Sequence, residues 1–232
     1  MNLEMILSDS ASLTRLGTGA VLGSMLGSLI PRAVRFLTAY KSRKRGKTSP
    51  DNVLCDRKSQ LAVILMDLLL SAASMLLMPV LPALTAICII QISLVCVFVD
   101  WYMRIIANET VLLMLGLGVV YRILIGGFSA LPGSLGAMGL VSVLFGGLAT
   151  LMTALRGIPE VGAGDIKYAM AAAVVVGWPN VFWFLFCFAG TVLLYCFLGM
   201  KLSLLNRKSY FPMCLHLSLG LMGGMFLPLL GA

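Results

Sequence analysis

VLPALTAICIIQISLVCVFV (residues 80–99) contains no Asp, Glu, Lys or Arg and ends against Asp100. It is about as long as a helix needs to be to cross a bilayer, roughly 20 residues. It shows no strand-like alternation, and a spanning segment must satisfy its own backbone hydrogen bonds, so a helix is expected rather than a barrel strand. Outward from this run, further apolar segments read at 17–38, 60–78, 110–127, 136–155, 165–178, 180–200 and 211–231. With 80–99 counted third, the sixth, 165–178, is short and is closed by GWPN at 177–180, a turn signal. The chain of 232 residues is 60% hydrophobic and 11% charged, with mean hydropathy +1.02. Soluble domains carry about 25% charged residues. The expected fold is therefore an all-α polytopic membrane helix bundle of about eight transmembrane helices, with no room for a large soluble domain. MNLEMILSDSAS lacks the basic start of a secretory signal peptide, so the first apolar segment is expected to be retained.

The basic residues orient these spans. Lys41, Arg43, Lys44, Arg45, Lys47, Arg57 and Lys58 fall in the first loop, Arg104 in the third, Arg156 in the fifth, and Lys201, Arg207 and Lys208 in the seventh. The even loops carry none. Lys- and Arg-rich loops face the cytoplasm, so both termini are expected outside. Arg15 and Arg122 fit this pattern less well; Arg122, near the outer end of the fourth span, is expected to snorkel to the interface. The net charge of +8 is thus mostly a topology signal. No nucleic-acid-binding motif accompanies it, and no nucleic-acid partner is expected. The bilayer is the expected partner of the 41–58 loop. Five of the six cysteines lie in spans, where they read as small apolar filler, and Cys55 stands in the first loop. With no CxxC, a zinc site of the usual spacing is not supported. GAVLGSMLGS (19–28) has the small-residue spacing of closely packed helices.

Acidic residues within or at the edge of spans are candidates for function: Asp67, Asp100 and Asp165. Asp100 ends the third span and Asp165 begins the sixth, both at the cytoplasmic side of the expected topology. Two carboxylates that meet around one water can divide the work of hydrolysis. The protonated one polarises a peptide carbonyl; the ionised one takes a proton from water. A helix start favours the ionised form at Asp165 and a helix end the protonated form at Asp100, which makes Asp165 the base and Asp100 the acid. In GAGDIK (162–167), Gly162 and Gly164 are expected to let the backbone bend sharply and approach a substrate strand. Plainer readings stand beside this. Asp100 and Arg104 have the spacing of a helical ion pair, Asp165 that of a helix cap. Asp67 is expected to pair with a polar group inside the bundle. His216, the single histidine, has no metal-ligand pattern and is expected to pack.

These stretches resemble the type IV prepilin peptidases, GxGD-type intramembrane aspartic proteases. GAGDIK is similar to the GxGDxK signature, with Gly162, Gly164, Asp165 and Lys167 in register. DWYMRIIAN (100–108) is similar to the first-aspartate segment, matching at Asp100, Arg104, Ile106 and Asn108, with Ala107 where proline is usual. GSMLGSLIPR (23–32) looks like the GSFLN-type segment, with Gly27 in place of asparagine, and SYFPMCLHLSLG (209–220) resembles the C-terminal segment. The resemblance implies catalytic Asp100 and Asp165, with Gly162, Gly164, Lys167, Arg104 and Asn108 as motif support. It implies two regions: 1–59, a first transmembrane helix with a short basic loop (a reduced methyltransferase-like region), and 60–232, the peptidase core. The implied substrate is a type IV prepilin or pseudopilin, whose leader is removed at the cytoplasmic face of the bacterial inner membrane. Asp51, Asp56, Glu109 and Glu160 are candidates to receive the leader's lysines. Peptide cleavage needs no cofactor or metal. S-adenosylmethionine enters only if methylation of the new N-terminus is retained, and zinc is not expected with Cys55 alone in the loop. A presenilin-like protease would carry a C-terminal PAL motif; no PAL follows GAGDIK here, and the PAL at 82–84 precedes both aspartates. The remaining alternative is a transporter or assembly scaffold with paired intramembrane carboxylates.

Overall fold

The computed structural model describes residues 10–46, 53–156, 162–201 and 213–230. Among these, all regular structure is helical. The elements are α1 (Ser10–Gly27), α2 (Ile30–Lys44), α3 (Arg57–Leu77), α4 (Val80–Met103) and α5 (Asn108–Gly126), then a 3-10 turn (Phe128–Ala130). After it come α6 (Leu131–Arg156), α7 (Ala163–Val176), α8 (Val181–Lys201) and α9 (Met213–Leu230). The protein is an all-α polytopic membrane protein. Among the described residues, seven segments are long and apolar enough to cross a bilayer, with α1 and α2 counted together. The expected sixth span is α7. Its 14 residues rise about 21 Å, short of the hydrocarbon thickness of about 30 Å.

The expected first span, 17–38, also differs. Its helix begins at Ser10, breaks at Ser28 and Leu29, and resumes as α2 to Lys44. Pro31 sits in the first turn of α2; it has no N–H to offer the carbonyl four residues back, so the helix breaks just before it. Lys41, Arg43 and Lys44, expected in a loop, form the last turn of α2, where the helix C-terminus favours cations.

The helices form two compact units, one ending at Ile105 and the other beginning at Ile106. In the first, α1 packs on α3 through Gly19, Gly23 and Gly27. A Cβ at Gly19 would lie 2.8 Å from the Ser71 carbonyl oxygen, and one at Gly23 only 2.7 Å from Leu68 Cα. The glycine face is thus a backbone-to-backbone contact. One at Gly27 would come 3.0 Å from Asp67 Oδ2. Asp67 is fully buried. It accepts hydrogen bonds from Gln91 Nε2 at 2.5 Å and Ser71 Oγ at 3.4 Å, the bundle pairing expected for it. No charged atom of Asp67 is left to the bilayer, as burial in low dielectric demands.

In the second unit, α7 is the buried centre: Tyr168, Ala169 and Ala171 through Val176 are all inside. α5, α6 and α9 pack on it. Gly118 of α5 admits Val175, and Gly224 of α9 admits Val176. The Tyr168 and Ser218 hydroxyls share a buried hydrogen bond of 2.7 Å. His216 is buried edge-on to Tyr195, with ring centroids 5.2 Å apart, in the packing role expected of it. Arg122, expected to reach for the interface, is half-buried at the end of α7. Its Nη1 donates to the Val176 carbonyl at 3.1 Å, and its guanidinium lies where a side chain at Gly177, φ 65, would have to go. The C-terminus of α7 carries partial negative charge, which this arginine meets.

The glycine contacts predict opposite signs for one chemical change within α1. Gly23→Ala drives a methyl into α3 backbone and lowers stability by about 1–3 kcal/mol. Gly17→Ala has open space and raises helix stability by up to about 1 kcal/mol. Thermal unfolding in detergent reads both; equal shifts would sink the close-packing account.

Candidate active site

α4 ends with DWYM, and Asp100 lies in its last turn, half-buried. Arg104 closes the helix from the left-handed region, φ 54 and ψ 45, and its N–H donates to the Asp100 carbonyl at 2.7 Å. This is the αL cap that glycine usually supplies. The relation between Asp100 and Arg104 therefore includes a backbone bond that fixes where the helix stops.

The chain then runs without regular structure to Ala107, which precedes α5. Ala107 is buried, and its carbonyl accepts from the Thr110 hydroxyl at 2.7 Å and from the Thr110 and Val111 N–H groups at 3.2 Å each. Its φ of −73 and ψ of 129 lie where proline's ring would hold them. Alanine here reproduces the conformation that the usual proline imposes.

Asp165 sits in the first turn of α7, with Gly162 as the N-cap residue. It is not itself the cap. Its carboxylate folds back over Gly162, and a Cβ there would lie 2.8 Å from Oδ2. A Cβ at Gly164 would lie 3.2 Å from Ile106 Cβ. Gly162 has φ −68 and ψ 137, which any residue adopts, so the expected sharp bend is not what these glycines provide. They provide room, one for the Asp165 carboxylate and one for the segment that follows Asp100.

The tail of that segment meets GAGDIK again one turn on. Lys167 Nζ donates to Asn108 Oδ1 at 3.4 Å, on the exposed side of both residues. Ile106, Asn108, Gly162, Gly164, Asp165 and Lys167 thus belong to the second unit, while Asp100 and Arg104 belong to the first. Asn108 and Lys167 also close one end of an apolar groove of about 350 Å³ lined by Leu112, Leu115, Met138 and Met170. The groove opens between α5 and α6, which pack on α7 far more than on each other. Residues two apart on a helix point about 200° apart, so the groove lies on the side of α7 away from Asp165.

Of the candidate leader-binding acids, Glu109 and Asp56 are exposed at the starts of α5 and α3. Asp51 and Glu160 lie outside the described residues, as do Lys47, Arg207 and Lys208. Among the described residues no three His, Cys, Asp or Glu side chains cluster as metal ligands. Tyr102, Leu54, Gln60 and Gln91, which hold the two aspartate-bearing helices of the first unit, carried no motif by which the sequence could mark them.

The sequence profile of the type IV leader peptidase family matches residues 86–204, from within α4 to beyond α8. The matched stretch contains both DWYMRIIAN and GAGDIK. The chain belongs to the type IV leader peptidase family, a family of membrane peptidases. No curated protein and no solved structure matches it.

Two substitutions test this geometry. Gly162→Ala pushes the Asp165 carboxylate aside with the fold intact; on the reading of Asp165 as a catalytic group, proposed below, a misplacement near 1 Å lowers turnover by about 100-fold, and wild-type turnover would show that the space is not needed. Ala107→Pro retains the fold and raises stability by about 0.4–1 kcal/mol, because proline matches the native φ and restricts the unfolded chain. A lowered thermal midpoint for Ala107→Pro would count against it.

Proposed function

We propose that the protein is an aspartic endopeptidase that removes the leader of type IV prepilin-like or pseudopilin proteins at the cytoplasmic face of a bacterial inner membrane. The observation that carries this reading is the family match across both aspartate segments. The packing of Ile106 on Gly164 and of Asn108 on Lys167 supports it, since the tail of one segment is built against the other.

In this reading Asp165, at a helix start, is the ionised base, and Asp100, in a last helical turn, is the acid. Asp100 donates its proton toward the scissile carbonyl oxygen while Asp165 takes a proton from the attacking water. A new C–O bond forms and the carbonyl becomes a tetrahedral diol. Collapse of the diol breaks the C–N bond, and the proton held on Asp165 passes to the leaving amine. The acid proton returns to Asp100 from the diol hydroxyl. No cofactor takes part. A pair of carboxylates titrates as a unit, so the assignment concerns which group faces which atom.

Asp67 stands apart from this chemistry, since Gln91 and Ser71 already occupy its oxygens. Intact mass of a co-expressed prepilin tests the reading. Asp100→Asn and Asp165→Asn are expected to reduce leader removal by roughly 10³-fold or more, and Asp67→Asn to stay within a few-fold of wild type. Normal cleavage by either of the first two would sink the proposal. The same spectrum reads N-methylation as a gain of about 14 Da.

A further inference from the structure

Leu54 stands at φ 47, a backbone conformation rare for a side chain other than glycine, asparagine or aspartate. It is nevertheless buried, 2% exposed, as is Val53 before it. Both of its backbone polar groups are bound by side chains from three different helices. Its N–H donates to the Tyr102 hydroxyl oxygen of α4 at 3.1 Å. Its carbonyl accepts from Gln60 Nε2 of α3 at 2.7 Å and from Arg35 Nη2 of α2 at 3.3 Å. A carbonyl has two lone pairs, and both are taken.

The held end of α4 is the turn that begins at Asp100. Tyr102 is tied to Leu54, Met103 Sδ lies 4.0 Å from Ser42 Oγ of α2, and the Arg104 N–H closes on the Asp100 carbonyl. Last helical turns fray when nothing holds them. Here Tyr102, Met103 and Arg104 are each fastened, the first two to other elements.

We propose that Tyr102 is a positioning residue. Its hydroxyl, seated on the Leu54 backbone that Arg35 and Gln60 hold in place, fixes the last turn of α4 and with it the Asp100 carboxyl. This rests on the reading of Asp100 as a catalytic group. Catalysis depends on sub-ångström placement of such a group, whereas a fixed turn adds nothing to substrate affinity. The strained Leu54 backbone is then a rigid anchor, kept in its conformation by bonds from three helices.

The test compares Tyr102→Phe, Gln60→Leu, Arg35→Met and Arg35→Lys in the full-length protein in liposomes, with a prepilin-derived peptide as substrate and Asp100→Asn alongside. Tyr102→Phe and Gln60→Leu are expected to lower kcat by about tenfold with KM within about twofold. Arg35→Lys, which keeps a cationic donor, should retain more kcat than Arg35→Met. Hydrogen exchange over residues 99–105 should quicken in Tyr102→Phe. If Tyr102→Phe turns over like wild type while Asp100→Asn is inactive, the positioning role is overturned and the peptidase reading stands. A rise in KM matching the loss of kcat, or no change in exchange, also overturns it. If Asp100→Asn cleaves normally, the peptidase assignment fails and the positioning role falls with it.

Discussion

Helix α7 is too short to cross a bilayer, and the second unit is organised around that constraint. At 14 residues it rises about 21 Å, so one of its ends must lie within the apolar layer or in a protein-lined space at that depth. Backbone carbonyls cannot be left unsatisfied there. Arg122 resolves this at the C-terminal end, with a donor to Val176 and a charge against the helix dipole. The remaining surface of α7 is covered by α5, α6 and α9. Its alanines and valines suit this position, because small side chains let three neighbours approach one axis. The enclosed stretch begins at Tyr168, just after the first turn that carries Asp165.

Two arginines within apolar segments, Arg122 and Arg35, each meet a backbone carbonyl. Arg122 breaks the charge asymmetry of the loops, yet its guanidinium is bound at the C-terminal end of α7. Arg35 lies within the first apolar segment, and its guanidinium reaches the Leu54 carbonyl. In each case the acceptor is a backbone carbonyl whose place along the chain gives no hint of the contact. A hydropathy profile counts these residues as costs. The structure places them where a carbonyl needs a donor.

Hydropathy located most helices to within a few residues, because apolar length decides them. The run 80–99 became Val80–Met103, and 180–200 became Val181–Lys201. It failed where length and polarity mislead. α7 is apolar but enclosed, so it read as a span, and α2 is basic at its end but still helical, so its last turn read as loop. The candidate site was legible as residue types in order: Asp100, Asn108, Gly162, Gly164, Asp165 and Lys167. What the sequence did not carry was the set of contacts among them. Ile106 as the reason for Gly164, and Asp165 itself as the reason for Gly162, require the fold.

Residue type misleads about backbone conformation in both directions here. Gly162 adopts a conformation open to every residue, so its small size matters there and its flexibility does not. Leu54 and Arg104, by contrast, occupy the left-handed region without being glycine. Glycine at either position would relax the backbone, but it would also remove a side chain, and at Leu54 a buried one. Burying a leucine is worth about 1.5–3 kcal/mol, which exceeds or matches a left-handed penalty of about 1–2 kcal/mol. The balance favours leucine once the turn is held from outside. The strain is therefore a consequence of how firmly α2, α3 and α4 grip one residue, and it sits next to the helix end that carries Asp100.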